Sequence, residues 1–141
     1  MTLGLLLYRT ASSFLGLFSG FLLKGRVHAG KEDVARLNER RARDLMRRPP
    51  GTLIWLHGAS VGESLMLLEL GVRLQDACPD LQLLFTSQTQ TSARLLIERL
   101  PENARHQMAP LDTPAAARRF VSHWQPDLVI IAEGEIWPNL L

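Results

Sequence analysis

The sequence is poor in several residue types, and each shortage excludes a class of protein. Cys78 is the only cysteine among 141 residues, which excludes an intramolecular disulfide and a cysteine-rich metal site. Aromatic residues make up 6% of the chain. None of them is interleaved with the basic residues of segment 24–50, which argues against a nucleic-acid surface. A chain of this length, without internal repeats, can bury one ordinary α/β core.

Acidic residues are scarce near the N-terminus, although the formal net charge of the whole chain is only +2. Residues 24–50 hold nine Lys or Arg against four Asp or Glu, whereas residues 51–141 hold six against ten. The basic character is therefore local, and it directly follows an apolar segment.

That apolar segment, residues 3–23, is long enough to cross a bilayer of roughly 30 Å. Arg9 lies within it, and a charge there is costly unless it reaches the membrane surface. A secretory signal peptide is the alternative, but Arg9 interrupts the apolar region and no small-x-small site precedes Lys24. We expect residues 1–24 to be a membrane anchor, either one span or an interfacial helix. The basic flank favours the cytoplasmic side of the membrane.

The next two segments are predicted from composition and from the proline and glycine residues that end helices. Residues 25–50 are expected to form a basic linker helix, mostly solvated between Lys31 and Arg48. The run Pro49-Pro50-Gly51 ends this helix, and a globular domain is expected over 51–141. In that domain, apolar runs predict strands at 52–56, 81–85, 106–109 and 127–132, and helices are predicted at 63–77, 91–100 and 114–124. Buried strands alternating with helices are typical of an α/β, doubly wound parallel sheet.

Polar segments follow three of these strands, at 57–63, 86–91 and 133–139. Ligands of open α/β sheets bind beyond the carboxyl ends of the strands. We therefore expect these three segments to converge on one crevice.

The first polar segment allows two interpretations. Residues 58–62 match the G-x-S-x-G nucleophile elbow, with Ser60 as the nucleophile of a serine hydrolase. Asp112 and His123 are available to complete a triad, but His123 lies inside a predicted helix. Alternatively, Ser60 and Glu63 fit the S-x-x-E capping box of a helix N-terminus.

Glu63 is also a candidate general base, because it would lie in the first turn of a helix at the mouth of the sheet. Burial would raise its pKa toward neutrality, whereas the positive end of the helix would lower it. Gly58 and Gly62 would let a ligand approach the backbone. The segment lacks the lysine of a phosphate-binding P-loop.

The other two polar segments offer groups suited to sugars or phosphates. Hydroxyls and amides of residues 86–91 could bind a polyhydroxylated or phosphorylated ligand, although Thr91 as an N-cap explains part of the pattern. Two acids, a tryptophan and an amide follow the last strand, at Glu133, Glu135, Trp137 and Asn139, and such groups are common in sugar recognition. His57 and His106 are interpreted as satisfied polar residues near strand ends rather than as ligands.

Taken together, these motifs resemble one family, the transferases of 3-deoxy-D-manno-octulosonic acid (Kdo) in lipopolysaccharide assembly. The apolar start and the pairs Lys31-Glu32 and Glu39-Arg40 are also similar to that family. The matching segments are His57-Gly-Ala-Ser-Val-Gly-Glu63, Thr86-Ser-Gln-Thr-Gln-Thr91, residues 106–114, residues 120–126 and Glu133-Gly-Glu-Ile-Trp-Pro-Asn-Leu140.

The resemblance implies the N-terminal, acceptor-side half of a GT-B glycosyltransferase, in which two Rossmann-like domains face each other. It implies that Glu63 is the catalytic base, that the donor is CMP-Kdo, and that no metal or other cofactor is needed. The acceptor is the lipid A precursor, lipid IVA. The remaining site residues implied, as acceptor contacts or a second acid, are Ser60, Gly62, Thr86, Thr89, Glu133, Glu135, Trp137 and Asn139.

The chain departs from the family pattern at Ser92 and Gly134, where the family usually shows glycine and a threonine-like residue. It also stops at Leu141, so we expect the donor-binding domain to be missing and this fragment alone to be inactive. The implied location is the cytoplasmic face of the inner membrane, with membrane lipids as partners and no nucleic acid. The alternatives are a membrane-tethered serine hydrolase and a non-catalytic lipid-binding module.

Overall fold

The structure, a computed structural model, describes residues 3–30, 32–132 and 138–139. In this part of the chain, three N-terminal α-helices precede an alternation of strands and helices that confirms the predicted order. The helices are α1 (Leu3–Leu17), α2 (Ser19–His28), α3 (Leu37–Arg40), α4 (Val61–Ala77), α5 (Gln90–Arg99) and α6 (Pro114–Trp124). The strands are β1 (Leu53–Gly58), β2 (Gln82–Ser87), β3 (Ala104–Met108) and β4 (Leu128–Ala132).

The described strands form one parallel sheet in the order β3-β2-β1-β4. Parallel neighbours require crossover connections, and α4, α5 and α6 provide them. All six residues of β1 are buried, as expected for an inner strand covered on both faces. The predicted α/β class, a Rossmann-like parallel sheet, is confirmed.

Alternate side chains of β1 and β2 point into two apolar cores, one on each face of the sheet. On one face Trp55 and Leu84 pack against Phe120 and Trp124 of α6, with the Trp55 and Phe120 ring centroids 4.9 Å apart. The other face packs against α4 and α5 through Ile54, Leu56, Leu67, Leu83, Phe85 and Leu96. Helix α6 therefore lies on the opposite face of the sheet from α4 and α5.

Strand β4 is more exposed than the sequence predicted. Its Leu-Val-Ile-Ile run predicted a buried strand, but Leu128 is 51% exposed and Val129 is 38% exposed. Within the described residues β4 pairs only with β1, so no further strand covers its outer edge. The prediction was wrong because an apolar run does not tell an inner strand from an outer one.

The segment between α2 and β1 is not the solvated basic helix that the sequence predicted. It holds only a 3-10 turn at Val34–Arg36 and the four-residue α3. Beyond α3, Ala42 (φ 50°) and Asp44 (φ 52°) adopt left-handed backbone conformations, which end the helix. Tertiary contacts decide the shape of this segment, because Glu32 and Arg40 are buried rather than solvated.

Helices α1 and α2 meet at a bend of 63°. Taken singly, none of the described helices has both the length and the apolar character of a membrane span, whereas α1 and α2 meet that test as a bent pair. Side-chain hydrogen bonds tie α1 to the domain: the Tyr8 hydroxyl donates to the Asp112 carboxylate, and Asn139 Nδ2 donates to Ser12 Oγ at 3.1 Å. The anchor expected at 1–24 stays a prediction.

Side-chain caps define the starts of the helices that follow the strands. Ser60 caps α4, and Thr113, followed by Pro114, caps α6 as predicted. The cap of α5 is Thr89, whose hydroxyl accepts from the Ser92 amide at 3.1 Å. The prediction of Thr91 as that cap was wrong, because α5 begins one residue earlier, at Gln90.

Candidate active site at the carboxyl edge of the sheet

The polar segments that follow β1, β2 and β4 begin side by side. Gly58, the last residue of β1, is in register with Ser87 of β2 and with Ala132 of β4. The three segments expected to form a crevice therefore start at one edge of the sheet, which we call the carboxyl edge. Residues 133–137 lie outside the described residues, so the predictions for Glu133, Glu135 and Trp137 remain predictions.

Glu63 takes part in a complete capping box at the start of α4. Its Oε2 accepts from the amides of Ala59, at 2.5 Å, and Ser60, at 3.0 Å, while Ser60 Oγ accepts from the Glu63 amide at 3.3 Å. Oε1 accepts no hydrogen bond from the described residues. Within the described residues, the carboxylate is therefore fixed through one oxygen, and the other oxygen is available to accept a proton.

The same contacts decide the ionisation of Glu63. The backbone amide of Ser60, helped by that of Ala59, lowers the pKa of the Glu63 carboxyl below its usual range, against the opposing effect of burial. Of the two influences that the sequence left open, the helix N-terminus is the stronger. Glu63 is therefore an ionised carboxylate at neutral pH.

The glycines of the β1–α4 turn differ in role. A Cβ on Gly58 would lie 3.1 Å from Glu63 Cβ and 3.2 Å from Leu67 Cδ1, whereas a Cβ on Gly62 would meet nothing within 4 Å. Gly58 thus lets α4 pack closely on β1, which brings Glu63 to the edge of the sheet. Only Gly62 leaves open space of the kind expected for ligand approach.

Thr86 is buried and supports His57. Its hydroxyl accepts from Trp55 Nε1 at 2.8 Å and hydrogen-bonds His57 Nδ1 at 2.8 Å. Burial lowers the pKa of His57 to about 4, an effect that Glu63 opposes and Arg40 increases. His57 is therefore neutral at neutral pH, and its Nε2 is buried without a described hydrogen-bond partner.

His106 is a satisfied buried residue, as predicted. Arg36 Nη2 lies 3.0 Å from His106 Nδ1, and Ser87 Oγ lies 2.9 Å from His106 Nε2. Arginine only donates, so Nδ1 accepts and the ring proton is on Nε2, directed to Ser87. Burial, with the charge of Arg36 added, lowers the pKa of His106 to about 3.

Arg40 reaches the carboxyl edge from α3, and the sequence analysis did not identify it as a site residue. Its guanidinium donates to Gln88 Oε1 at 3.1 Å and to the carbonyl of Ala109, and its Nε lies 3.4 Å from Glu32 Oε1. Glu39 likewise accepts from the Met108 amide at 2.7 Å. The signal available was the resemblance of Lys31-Glu32 and Glu39-Arg40 to the family pattern.

Asn139 lies near α1 and the loop that follows β3. Its backbone N–H donates to Asp112 Oδ1 at 3.1 Å. Its side-chain Nδ2 donates to the backbone carbonyl of Asp112 at 3.0 Å and also to Ser12 Oγ. No described hydrogen bond joins it to Glu63. The structure therefore brings together Ser60, Gly62 and Glu63 at the start of α4, with Thr86 buried in β2 and hydrogen-bonded to His57, and Thr89 in the cap of α5.

A family model described as 3-deoxy-D-manno-octulosonic-acid transferase (kdotransferase) matches residues 34–141. The chain belongs to this family of glycosyltransferases. The Kdo transferase match covers the whole described sheet and the carboxyl edge, including Ser60, Glu63 and Arg40.

Individual Kdo transferases are similar to the chain over only part of their own length. One from Rickettsia bellii is 41% identical over 116 residues, which are 82% of this chain and 28% of that protein. A probable mitochondrial one from Arabidopsis thaliana is 36% identical over 144 residues, 100% of this chain and 32% of that protein. One from Haemophilus influenzae is 38% identical over 66% of this chain and 22% of that protein. The chain thus spans less than a third of each relative, and no solved structure matches it.

The described contacts contradict the serine hydrolase alternative, in agreement with membership of the Kdo transferase family. His123 Nε2 is bonded to the Met46 carbonyl at 2.7 Å, and Asp112 is bonded to Tyr8 and Asn139. Neither side chain contacts Ser60, which instead caps α4. Among the described residues, no group of three or more His, Cys, Asp or Glu side chains could hold a metal ion.

Proposed function

We propose that the chain is the acceptor-side part of an enzyme that transfers Kdo from CMP-Kdo to lipid IVA in lipopolysaccharide biosynthesis. Its family membership supports the reaction. The observation that carries the proposal is the Glu63 carboxylate, which is ionised, is held by two amides through Oε2, and accepts no hydrogen bond at Oε1 from the described residues.

Glu63 is the general base in this proposal. Its Oε1 accepts the proton of an acceptor sugar hydroxyl, the hydroxyl oxygen forms a bond to the anomeric carbon of Kdo, and CMP leaves with the electron pair of the broken bond. The lowered pKa keeps the base ionised but makes it weak. An acceptor that covers Glu63 removes water from the carboxylate, and desolvation raises a carboxylate pKa toward a more effective value.

The remaining parts of the proposal come from the family resemblance. The chain forms the first of two Rossmann-like domains of a GT-B enzyme, and the second domain binds CMP-Kdo. Glu133 or Glu135 is the second acid, and Ser60, Gly62, Thr89, Trp137 and Asn139 lie toward the acceptor. Thr86 acts through its hydrogen bond to His57. The reaction uses no metal or other cofactor.

Attachment to the cytoplasmic face of the inner membrane is also part of the proposal. Large apolar side chains on α1 and α2 support it, because Phe14, Leu17, Phe18 and Phe21 are 63–81% exposed. Exposed apolar patches of this kind mark interaction surfaces, and basic residues follow them directly.

The test joins this chain to the remaining C-terminal part of the Rickettsia bellii relative and measures Kdo transfer from CMP-Kdo to lipid IVA. Glu63→Gln should lower kcat about 100-fold or more, because general-base catalysis contributes roughly 10²–10⁴-fold. Glutamine can still accept the two amide hydrogen bonds, so the capping box is retained.

Glu69→Gln is the matched control, since it makes the same change on the same helix at an exposed carboxylate that pairs only with Arg73 among the described residues. It should keep kcat within about tenfold of the unsubstituted enzyme. A Glu63→Gln enzyme with full activity would show that the base is another residue. Labelling of Ser60 by a fluorophosphonate would instead favour a hydrolase.

A further inference from the structure

A cavity of about 570 Å³ lies where α1 and α2 meet the start of α6. Four arginines line it: Arg41 and Arg43 from the segment after α3, and Arg118 and Arg119 from α6. We call this cavity the arginine pocket. Its described lining contains no acidic residue, so it is a concave surface with a strong positive charge.

Five arginines of the described chain have carboxylate partners, whereas the four in the pocket, like Arg94 and Arg99 of α5, have none among the described residues. Arg26, Arg36, Arg40, Arg48 and Arg73 each lie within ion-pair distance of an Asp or Glu. No described carboxylate lies within that distance of the four pocket arginines. Their positive charges are therefore not neutralised by this part of the protein.

Three further features make the pocket suitable for an anion. A Cβ on Gly20 would lie 2.8 Å from Arg41 Nη2, so only glycine leaves room for the guanidinium in its present position. The Arg41 Nε is buried and has no described hydrogen-bond partner. Thr113 and Pro114, at the N-terminal end of α6, also line the pocket, and a helix N-terminus favours negative charge.

The pocket adjoins the exposed apolar surface of α1 and α2. Leu17 lines the pocket and is 78% exposed, and Phe18 and Phe21 close by are 63% and 81% exposed. Apolar side chains beside arginines match the two layers of a membrane surface, with acyl chains below and phosphates at the headgroup level. Guanidinium groups bind phosphate oxygens in bidentate geometry.

We propose that the arginine pocket binds the phosphate of a membrane-lipid headgroup when the apolar side chains of α1 and α2 enter the bilayer surface. The site is separate from Glu63, because α6 and α4 lie on opposite faces of the sheet. The pocket therefore holds the protein on the membrane rather than taking part in sugar transfer.

The test measures binding of the full 141-residue chain to phosphatidylcholine vesicles with and without phosphatidic acid, by flotation at constant ionic strength. Arg43→Gln/Arg118→Gln should weaken binding to the phosphatidic acid vesicles roughly tenfold or more, since two basic contacts to an anionic surface are lost. Both side chains are exposed, so the variant should fold, which circular dichroism checks. Arg118→Gln alone should give a smaller loss in the same direction.

Arg94→Gln/Arg99→Gln is the control, because it removes the same charge from α5, on the other face of the sheet. It should stay within about twofold of the unsubstituted chain. Equal losses of vesicle binding in the two double variants would mean that the whole basic protein is attracted to the anionic surface, which would contradict the proposed phosphate site. Unchanged binding of the Arg43→Gln/Arg118→Gln chain would also contradict it. Inorganic phosphate that raises the Tm as much as the vesicles do would assign the pocket to a soluble ion. The pocket rests on the proposed membrane attachment, which binding of the unsubstituted chain to the vesicles tests by itself. Kdo transfer is not measured, so failure of the pocket leaves the proposed sugar transfer standing.

Discussion

The carboxyl edge and the arginine pocket both gather charged side chains, but they hold them differently. At the carboxyl edge Arg36 and Arg40 have carboxylate partners, and Glu63 is held by two amides. In the pocket, four guanidinium groups have no described carboxylate within ion-pair distance. Paired charges stabilise one conformation of the protein, whereas unpaired charges on a concave surface are available to a ligand. Substitutions at the carboxyl edge should therefore lower stability, whereas substitutions in the pocket should weaken binding and leave stability nearly unchanged.

Among single substitutions at neutral pH, the largest stability effect is expected at Arg40. Arg40→Ala should lower the free energy of unfolding by about 3 kcal/mol, because breaking a buried pair leaves Glu32 and the Ala109 carbonyl poorly satisfied. The loss should stay near that value since Arg26 still contacts Glu32 at 2.8 Å. Arg118→Ala, in the pocket, should change it by less than about 0.5 kcal/mol. Urea unfolding measures both, and equal losses would remove the distinction between the regions.

The carboxyl edge should also respond to acid. The folded-state pKa values of His57 and His106 are lowered to about 4 and about 3, so folding favours their neutral forms. Their stabilising effect is fully present above pH of about 6.5 and is lost as the pH falls toward those values, by up to about 1.4 kcal/mol per pH unit for each histidine. Urea unfolding at a series of pH values measures this slope.

His57→Asn/His106→Asn is the comparison for that slope. The variant should lose less stability than the unsubstituted chain between pH of about 6.5 and about 4, because the groups that take up protons are gone. Identical slopes would mean that other groups cause the acid sensitivity.

The capping box should give an intermediate effect. Ser60→Ala should lower the free energy of unfolding by about 1 kcal/mol, because the Glu63 amide loses its acceptor. Glu63→Gln should cost less than Ser60→Ala, since glutamine also completes a capping box. Thermal unfolding measures both changes, and the reverse order would show that the charge of Glu63 stabilises α4 more than the cap does.

The smallest effect is expected from salt at the arginine pocket. Like charges that are close together repel, and salt screens that repulsion. Raising the salt concentration should therefore stabilise the unsubstituted chain by a few tenths of a kcal/mol more than the Arg43→Gln/Arg118→Gln chain. Unfolding midpoints at low and high salt give the comparison, and an equal salt effect would indicate that the four charges do not interact.

Local chemistry in the sequence was enough to predict the β1–α4 unit. A continuous apolar run followed by S-x-x-E specifies a buried strand, a turn and a capped helix within a few residues, and the structure confirms each. The same pattern left two interpretations of Glu63, and the structure shows the capping box in full without excluding the base.

Features that depend on distant contacts could not be predicted in the same way. Arg40 donates hydrogen bonds to Gln88 and Ala109, which lie 48 and 69 positions further along the chain. The sequence around Arg40 does not show these contacts, and it therefore predicted a solvated helix. The exposure of Leu128 depends on strand order, which an apolar run does not encode. The pocket likewise joins Gly20, Arg41 and Arg118 from separate segments, and only the fold brings them together.

The contacts that tie α1 to the domain also limit how the molecule can be oriented. Tyr8 and Ser12 are bonded to Asp112 and Asn139, so α1 is docked rather than joined by a free linker. A membrane that takes up the exposed side of α1 would then set both the tilt of the sheet and the height of Glu63 above the lipid. Only acceptor sugars presented at that height would reach the carboxylate, so the anchor would select substrates by distance as well as by chemistry.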